Sequence, residues 1–301
     1  MVSPPFLKIG DKIGIVAPAR KIAKNELEPS LEIIRSNGFE VVYSDNLFAT
    51  DNQFAGNDNV RAEDLQHMLD DETIKAIMFA RGGYGSVRII DQIDFSKFVT
   101  SPKWLIGYSD ITVFHNHVVR NLGIQTLHAS MPINFAGNTK PALDSLFDVL
   151  NGKLPNYEFD NHPLNRPGKA EGILTGGNLS VLYSLLGSNS FPETDNTILF
   201  LEDLDEYLYH IDRMMMGLKR AGKLTNLAGL IVGGMNDMND NAVPFGKTAE
   251  KIIRDIVDEY DYPVYFGFPV GHIDDNKALV MGVKVRIDTD RESGKVFYNN
   301  I

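Results

Sequence analysis

The sequence predicts an α/β protein: an N-terminal doubly wound parallel sheet followed by a second, mixed and β-rich α/β domain. Three observations carry this expectation. Short apolar runs alternate with amphipathic helical stretches through the first half, the pattern of βαβ units. That periodicity stops between residues 151 and 169, where Pro155, Pro163, Pro167, Gly152 and Gly168 gather as in an interdomain connection. The length of 301 residues exceeds what one hydrophobic core usually holds. The expected division is residues 1–152, a linker at 153–169, and residues 170–301.

In chain order, residues 13–17 read as a buried strand and 26–37 as an amphipathic helix through Leu27, Leu31 and Ile34, closed by Gly38. Strands follow at 41–43, 74–80, 104–108 and 124–127, with helices at 57–70, 87–93 and 141–150. A helix after residue 109 is marked by Ile111, Phe114, Val118, Val119 and Leu122 and ends at Gly123. In the second half, strands are expected at 197–201, 227–232, 264–268 and 283–287, and helices at 178–186, 209–221 and 248–260.

Composition narrows the function. Apolar content of 43% and charged content of 23% are those of a globular protein, and no apolar run approaches the ~20 residues of a membrane span. The N-terminus lacks the basic and apolar regions of a signal peptide, so a cytoplasmic protein without membrane association is expected. The absence of cysteine excludes disulfides, thiolate metal sites and a cysteine nucleophile. His115 and His117, two apart on one helix, make a poor metal pair, and no metal or other cofactor is expected. A net charge of −11 argues against a nucleic-acid partner.

Four features could carry chemistry. Ser109, in Trp104-Leu-Ile-Gly-Tyr-Ser-Asp-Ile-Thr112, stands on a strand-to-helix turn that can expose a nucleophile, or simply cap the helix. The match to G-x-S-x-G is partial, because Ile111 replaces the second glycine. The loop Arg81-Gly-Gly-Tyr-Gly85 can cradle a phosphate, aim an amide at an oxyanion, or merely supply positive φ for a turn; dinucleotide and P-loop patterns both fail here. Glu202 ends an apolar strand, where a carboxylate can orient a histidine or form a salt bridge with Arg213 or Lys219. His272, in a glycine-containing loop, is a candidate base or a plain surface residue.

Together with Leu174-Thr-Gly-Gly-Asn-Leu-Ser180, Leu199-Phe-Leu-Glu-Asp203, Ile211-Asp-Arg213 and Gly271-His272, these motifs resemble the L,D-carboxypeptidase family of serine peptidases, which includes muramoyl-tetrapeptide carboxypeptidases and microcin-immunity hydrolases. The resemblance covers roughly residues 8–285 and departs at Ile273, where the family commonly has glycine. It implies Ser109 as nucleophile, Glu202 as acid and His272 as base, with the amides of Gly83 (or its neighbour Gly82) and Asp110 as oxyanion hole. It implies a muropeptide or small-peptide substrate cut before a terminal D-residue, and a homodimer, to which the apolar Met214-Met-Met216 run would add support. Arg81, Tyr84 and Arg88, around the glycine loop, are candidates for substrate binding, the arginines for the free carboxylate. The competing readings are a hydrolase of peptidyl-nucleotide antibiotics, whose relatives carry extra aromatic residues for base stacking, and a two-lobed binder without catalysis.

Overall fold

The computed structural model describes residues 1–289 and 293–298. Along the chain run β1 (Lys12–Val16), α1 (Lys24–Ser36), β2 (Glu40–Tyr43), α2 (Asp58–Asp70), β3 (Ile74–Phe79), α3 (Ser86–Ile89), α4 (Ser96–Thr100), β4 (Trp104–Gly107), α5 (Thr112–Leu122), β5 (Thr126–His128) and α6 (Lys140–Leu150). They are followed by β6 (Asn156–Asp160), β7 (Gly168–Asn178), α7 (Leu179–Ser184), β8 (Thr197–Leu204), α8 (Leu208–Arg220), β9 (Gly229–Asn236), α9 (Ala249–Ile256), β10 (Val264–Tyr265), β11 (Leu279–Met281), β12 (Lys284–Thr289) and β13 (Ser293–Tyr298).

The first sheet has the order β11-β5-β4-β3-β1-β2. Its strands β1 to β5 are parallel, and helices cover both faces, which is why a run such as Ile77-Met-Phe-Ala80 can be wholly apolar and wholly buried. Strand order reverses between β1 and β3, and ligands of such sheets bind outside the carboxyl ends at that point. The loops after β1, β3 and β4, carrying Arg20, the glycine loop and Ser109, open there.

The second sheet, β10-β9-β8-β7-β12-β13-β6, is parallel over its first four strands and antiparallel over the rest. Two features add to the expected architecture. The stretch expected as linker contains β6, whose exposed and half-buried residues alternate as befits an edge strand. The first sheet is also not purely parallel, because β11, from the C-terminal part of the chain, pairs antiparallel with β5. Of the Met run, Met214 and Met215 are fully buried and only Met216 faces outward, so these side chains are used by the chain's own core. Among the described residues, no helix is long and apolar enough to cross a membrane.

Candidate active site

Ser109 begins a single 3₁₀ turn that leads into α5, and its φ of 63° lies in the left-handed region. A non-glycine residue held there costs about 1–3 kcal/mol and lifts its side chain away from the sheet, the geometry of a nucleophile elbow. Ile111, which breaks the G-x-S-x-G pattern, is fully buried over Gly107, where an added Cβ would come within 2.9 Å of its Cγ1. His115 braces the same strand end. Its Nε2–H donates to the Gly107 carbonyl at 2.8 Å and its Nδ1 accepts from Thr126 Oγ1 at 2.8 Å, while burial lowers its pKa to about 4, so the ring is neutral.

Glu202 comes from β8 and is fully buried. Among the described residues it makes no surface salt bridge; Lys219 instead pairs with Glu259. His272 reaches it from the loop after β10. His272 Nδ1 lies 2.6 Å from Glu202 Oε2, and His272 Nε2 lies 3.1 Å from Ser109 Oγ. Gly271 makes this approach possible: its φ is +116°, and a Cβ there would stand 2.8 Å from Glu202 Cβ and 2.9 Å from Oε2. The Gly271 amide donates to Asn276 Oδ1 at 2.9 Å, and buried Asn276 in turn donates to Ser130 Oγ at 3.3 Å, pinning the loop from behind. Ile273 lies outside the positive-φ region, so a side chain at that position costs the loop nothing.

Burial pulls the His272 pKa down, but the charge and hydrogen bond of Glu202, reinforced by Asp203, prevail and leave it above its ordinary value. Asp203 is itself raised to about 7, first by burial and then by the neighbouring Glu202 charge, against the hydrogen bonds it accepts from Leu204 N and Asn178 Nδ2. Tyr108 packs its ring on His272 with centroids 4.8 Å apart, closing one side of the imidazole to water.

The two halves of the site meet through the Thr-Gly-Gly-Asn motif at the end of β7. Gly177 has φ +135°, and a Cβ there would fall 2.5 Å from Thr112 Oγ1, so only glycine lets β7 lie against the start of α5. Asn116 on α5 donates to Gly176 O at 2.9 Å, and Asn178 N donates to Thr112 Oγ1 at 3.0 Å. Ser109 and Glu202 are therefore held in register by bonds one turn behind Ser109.

The glycine loop forms the other wall. Gly82 is packed against Ser109, since a Cβ on it would lie 3.3 Å from Ser109 Oγ and 3.4 Å from Asp110 N. The Gly82 carbonyl accepts from Arg20 N at 3.4 Å on the β1 side. A planar trans peptide then directs the Gly83 N–H away from that side. The Asp110 amide, at a helix start, needs no intrahelical acceptor, while the Asp110 side chain is buried and accepts from Ser86 N at 2.8 Å. Burial raises the Asp110 pKa.

Arg81 lines the resulting cleft of about 390 Å³ together with Ser109, His272, Gly82, Gly83 and Asp203. Arg88 and Tyr84 are not brought there. Arg88 is exposed and paired with Asp58 at 2.6 Å, and Tyr84 packs on Phe54 with ring centroids 6.2 Å apart, on the outside of the loop. A single residue between loop glycines is carried away from the cleft by the turn itself, and the short helix α3 directs Arg88 to α2.

Two arginines escaped the sequence reading. Arg61, wholly buried on α2, donates to Pro18 O and to Gly85 O (3.1 Å), stapling the loop after β1 to the glycine loop. A cation on the helical face shared with Ala62, Leu65 and Leu69 was the available signal. Arg20, in the loop after β1, also lines the cleft. Its signal was position alone, at the carboxyl end of a strand beside the point of strand-order reversal. Among the described residues, no group of three or more His, Asp or Glu is arranged to hold a metal ion.

Comparison with known proteins agrees with this architecture. Residues 13–129 match the LD-carboxypeptidase N-terminal domain family and residues 171–287 the LD-carboxypeptidase C-terminal domain family. A probable murein peptide carboxypeptidase of Bacillus subtilis is 35% identical, over 97% of this chain and 93% of its own length. The microcin C7 self-immunity protein MccF of Escherichia coli is 28% identical, over 95% of this chain and 93% of its own. The crystal structure of muramoyltetrapeptide carboxypeptidase from Oxalobacter formigenes superposes with a TM-score of 0.87 at 24% identity, covering 95% of this chain and 97% of that one, and shares the fold. With both halves matched and relatives aligned along almost its whole length, this chain belongs to the LD-carboxypeptidase family and is a serine-type carboxypeptidase.

Proposed function

We propose that the protein hydrolyses the L,D-peptide bond before a terminal D-amino acid in muropeptides, in cytoplasmic peptidoglycan recycling, with Ser109, His272 and Glu202 as catalytic triad. The observation that carries the reading is the continuous relay from Glu202 Oε2 through both nitrogens of His272 to Ser109 Oγ inside the cleft. A serine hydroxyl is a weak nucleophile and needs a base in hydrogen-bond reach. His272 Nε2 takes the Ser109 proton as Oγ attacks the carbonyl carbon. Glu202 fixes the tautomer with the proton on Nδ1 and stabilises the imidazolium. The Gly83 and Asp110 amides donate to the oxyanion, the protonated His272 gives its proton to the departing amine, and water releases the acyl-enzyme by the same steps. A binder without catalysis has no use for this alignment.

The test is mass-spectrometric assay of the purified protein on a tetrapeptide ending in D-Ala. Release of D-Ala from the L-Lys–D-Ala or diaminopimelate–D-Ala terminus is expected, with the all-L isomer and the C-terminal amide intact. Equal hydrolysis of the all-L isomer would refute the substrate assignment. Preferential cleavage of a peptidyl-sulfamoyl nucleotide would favour the immunity reading. Against that reading, the sole tryptophan, Trp104, is buried in β4 with its indole N–H on Pro5 O at 3.1 Å and is not free to stack a base. A homodimer is part of this proposal, supported only by the family resemblance, and light scattering should give twice the 33.5 kDa chain mass.

A further inference from the structure

We propose that Arg20, seconded by Arg81, is the receptor for the α-carboxylate of the departing residue, and so the residue that makes the enzyme an exopeptidase. The inference rests on the peptidase reading above and adds to it the group that selects a free terminus. Its first support is placement. Arg20 lies at the carboxyl end of β1, beside the strand-order reversal, and its stem crosses Gly83: a Cβ on Gly83 would fall 2.2 Å from Arg20 Cδ and 2.4 Å from Cγ. Gly83 is next to Gly82, which touches Ser109, and Arg20 and Ser109 line the same cleft, so the Arg20 side chain is placed to meet the carboxylate of a single departing residue.

The second support is the poor pairing of both guanidinium groups. Arg20 is exposed, and among the described residues its side chain has neither an ion pair nor a hydrogen bond. Arg81 donates to Lys21 O at 3.1 Å, and among the described residues its only carboxylate is Glu26 at a long 3.9 Å. The other oxygen of Glu26 is taken by the Ala23 amide at 2.7 Å. An unpaired guanidinium beside a poorly paired one, in a protein of net charge −11, is suited to receive an anion. Burial and the nearby Arg20 charge both depress the Arg81 pKa, a repulsion that a bound carboxylate would relieve.

The third support is polarity. Arg20 and Arg81 also border an adjoining depression of about 490 Å³ that contains Lys21 and Lys24, with Glu26 the single acid. The opposite wall of the catalytic cleft bears Asp203 and Asp205. A peptide with a free carboxylate is thereby oriented with its terminus toward Arg20.

The test uses binding without turnover, in the full-length Ser109→Ala protein. A tetrapeptide ending in D-Ala and its C-terminal amide are titrated by calorimetry. With Arg20 present, the acid should bind about 30-fold more tightly than the amide, the usual worth of one charge-assisted contact. Arg20→Gln should reduce that ratio below about threefold while leaving amide affinity unchanged, and Arg20→Lys should restore part of it. An unchanged acid-to-amide ratio in Arg20→Gln overturns the proposal, as does an equal loss of both ligands, which would mark a structural role. Failure of the peptidase reading shows separately, as absence of D-Ala release by the protein with Ser109 intact.

Discussion

Replacing Glu202 by Gln is the sharpest single test of the relay, because it keeps the side-chain shape and removes only the charge. Glu202 is fully buried with Oε2 2.6 Å from His272 Nδ1. In the proposed attack by Ser109 the imidazole becomes an imidazolium, and unit charges about 4 Å apart at an effective dielectric near 20 attract by about 4 kcal/mol. The neutral amide forfeits that attraction, worth about a thousandfold in kcat/KM. If the glutamine presents its NH₂ to Nδ1, the ring is also held in the unproductive tautomer and the loss grows. Stability should not fall with activity. Oε1 of Glu202 has no protein partner among the described residues, so removing a buried, half-satisfied charge should leave Tm unchanged or raised. The assay pairs D-Ala release over a pH series with thermal unfolding of the same preparation. Activity within tenfold of wild type would refute the electrostatic role of Glu202, and a large drop in Tm would mark it as a structural residue.

Three further outcomes follow from the same geometry. Ser109→Gly should abolish fluorophosphonate labelling and turnover yet raise stability by about 0.5–1 kcal/mol in denaturant titration, because glycine occupies φ 63° without strain; a loss of stability would mean the elbow is not strained. Since His272 must be neutral to act as base and its pKa is raised, kcat/KM should climb with pH through a midpoint above about 6.5, and Asp203→Asn, by removing a charge that favours the imidazolium, should move that midpoint to lower pH; a shift upward would reverse the assigned sign. Gly271→Ala places a Cβ 2.8 Å from Glu202 and forces alanine into φ +116°, so kcat should fall at least about a hundredfold with the far-ultraviolet circular dichroism retained, whereas near-wild-type turnover would show that the loop can shift freely.

The elements that were legible in the sequence share a physical trait: their burial pattern is local. A parallel strand covered on both faces must be continuously apolar, as 77–80 and 198–201 are, and a helix against a sheet must repeat its apolar residues at 3.6-residue spacing. The elements that were missed lack such a local mark. β7 runs Gly168–Asn178 through four glycines, and its length is set by pairing with β8 on one side and β12 on the other. β6 is an edge strand in a Pro-rich stretch, and β11 is three residues whose partner lies far back in the chain. Register with a distant strand leaves no periodic trace.

For the site, motifs in their order along the chain were enough to nominate Ser109, Glu202 and His272, because each chemistry-bearing residue sits at the end of an apolar strand or beside glycine. The sequence by itself determined the alternation of strands and helices, the absence of thiol chemistry and the net negative charge, and it nominated these three side chains. The tertiary structure alone decided which cations face them. Arg88 and Tyr84 neighbour the glycine loop in sequence but are turned outward by a helix of four residues, whereas Arg20 and Arg61 come from distant segments and flank it. Side-chain direction at a loop depends on the strand order and on the neighbouring strand's own loop, and both are products of long-range pairing that no local stretch of sequence encodes.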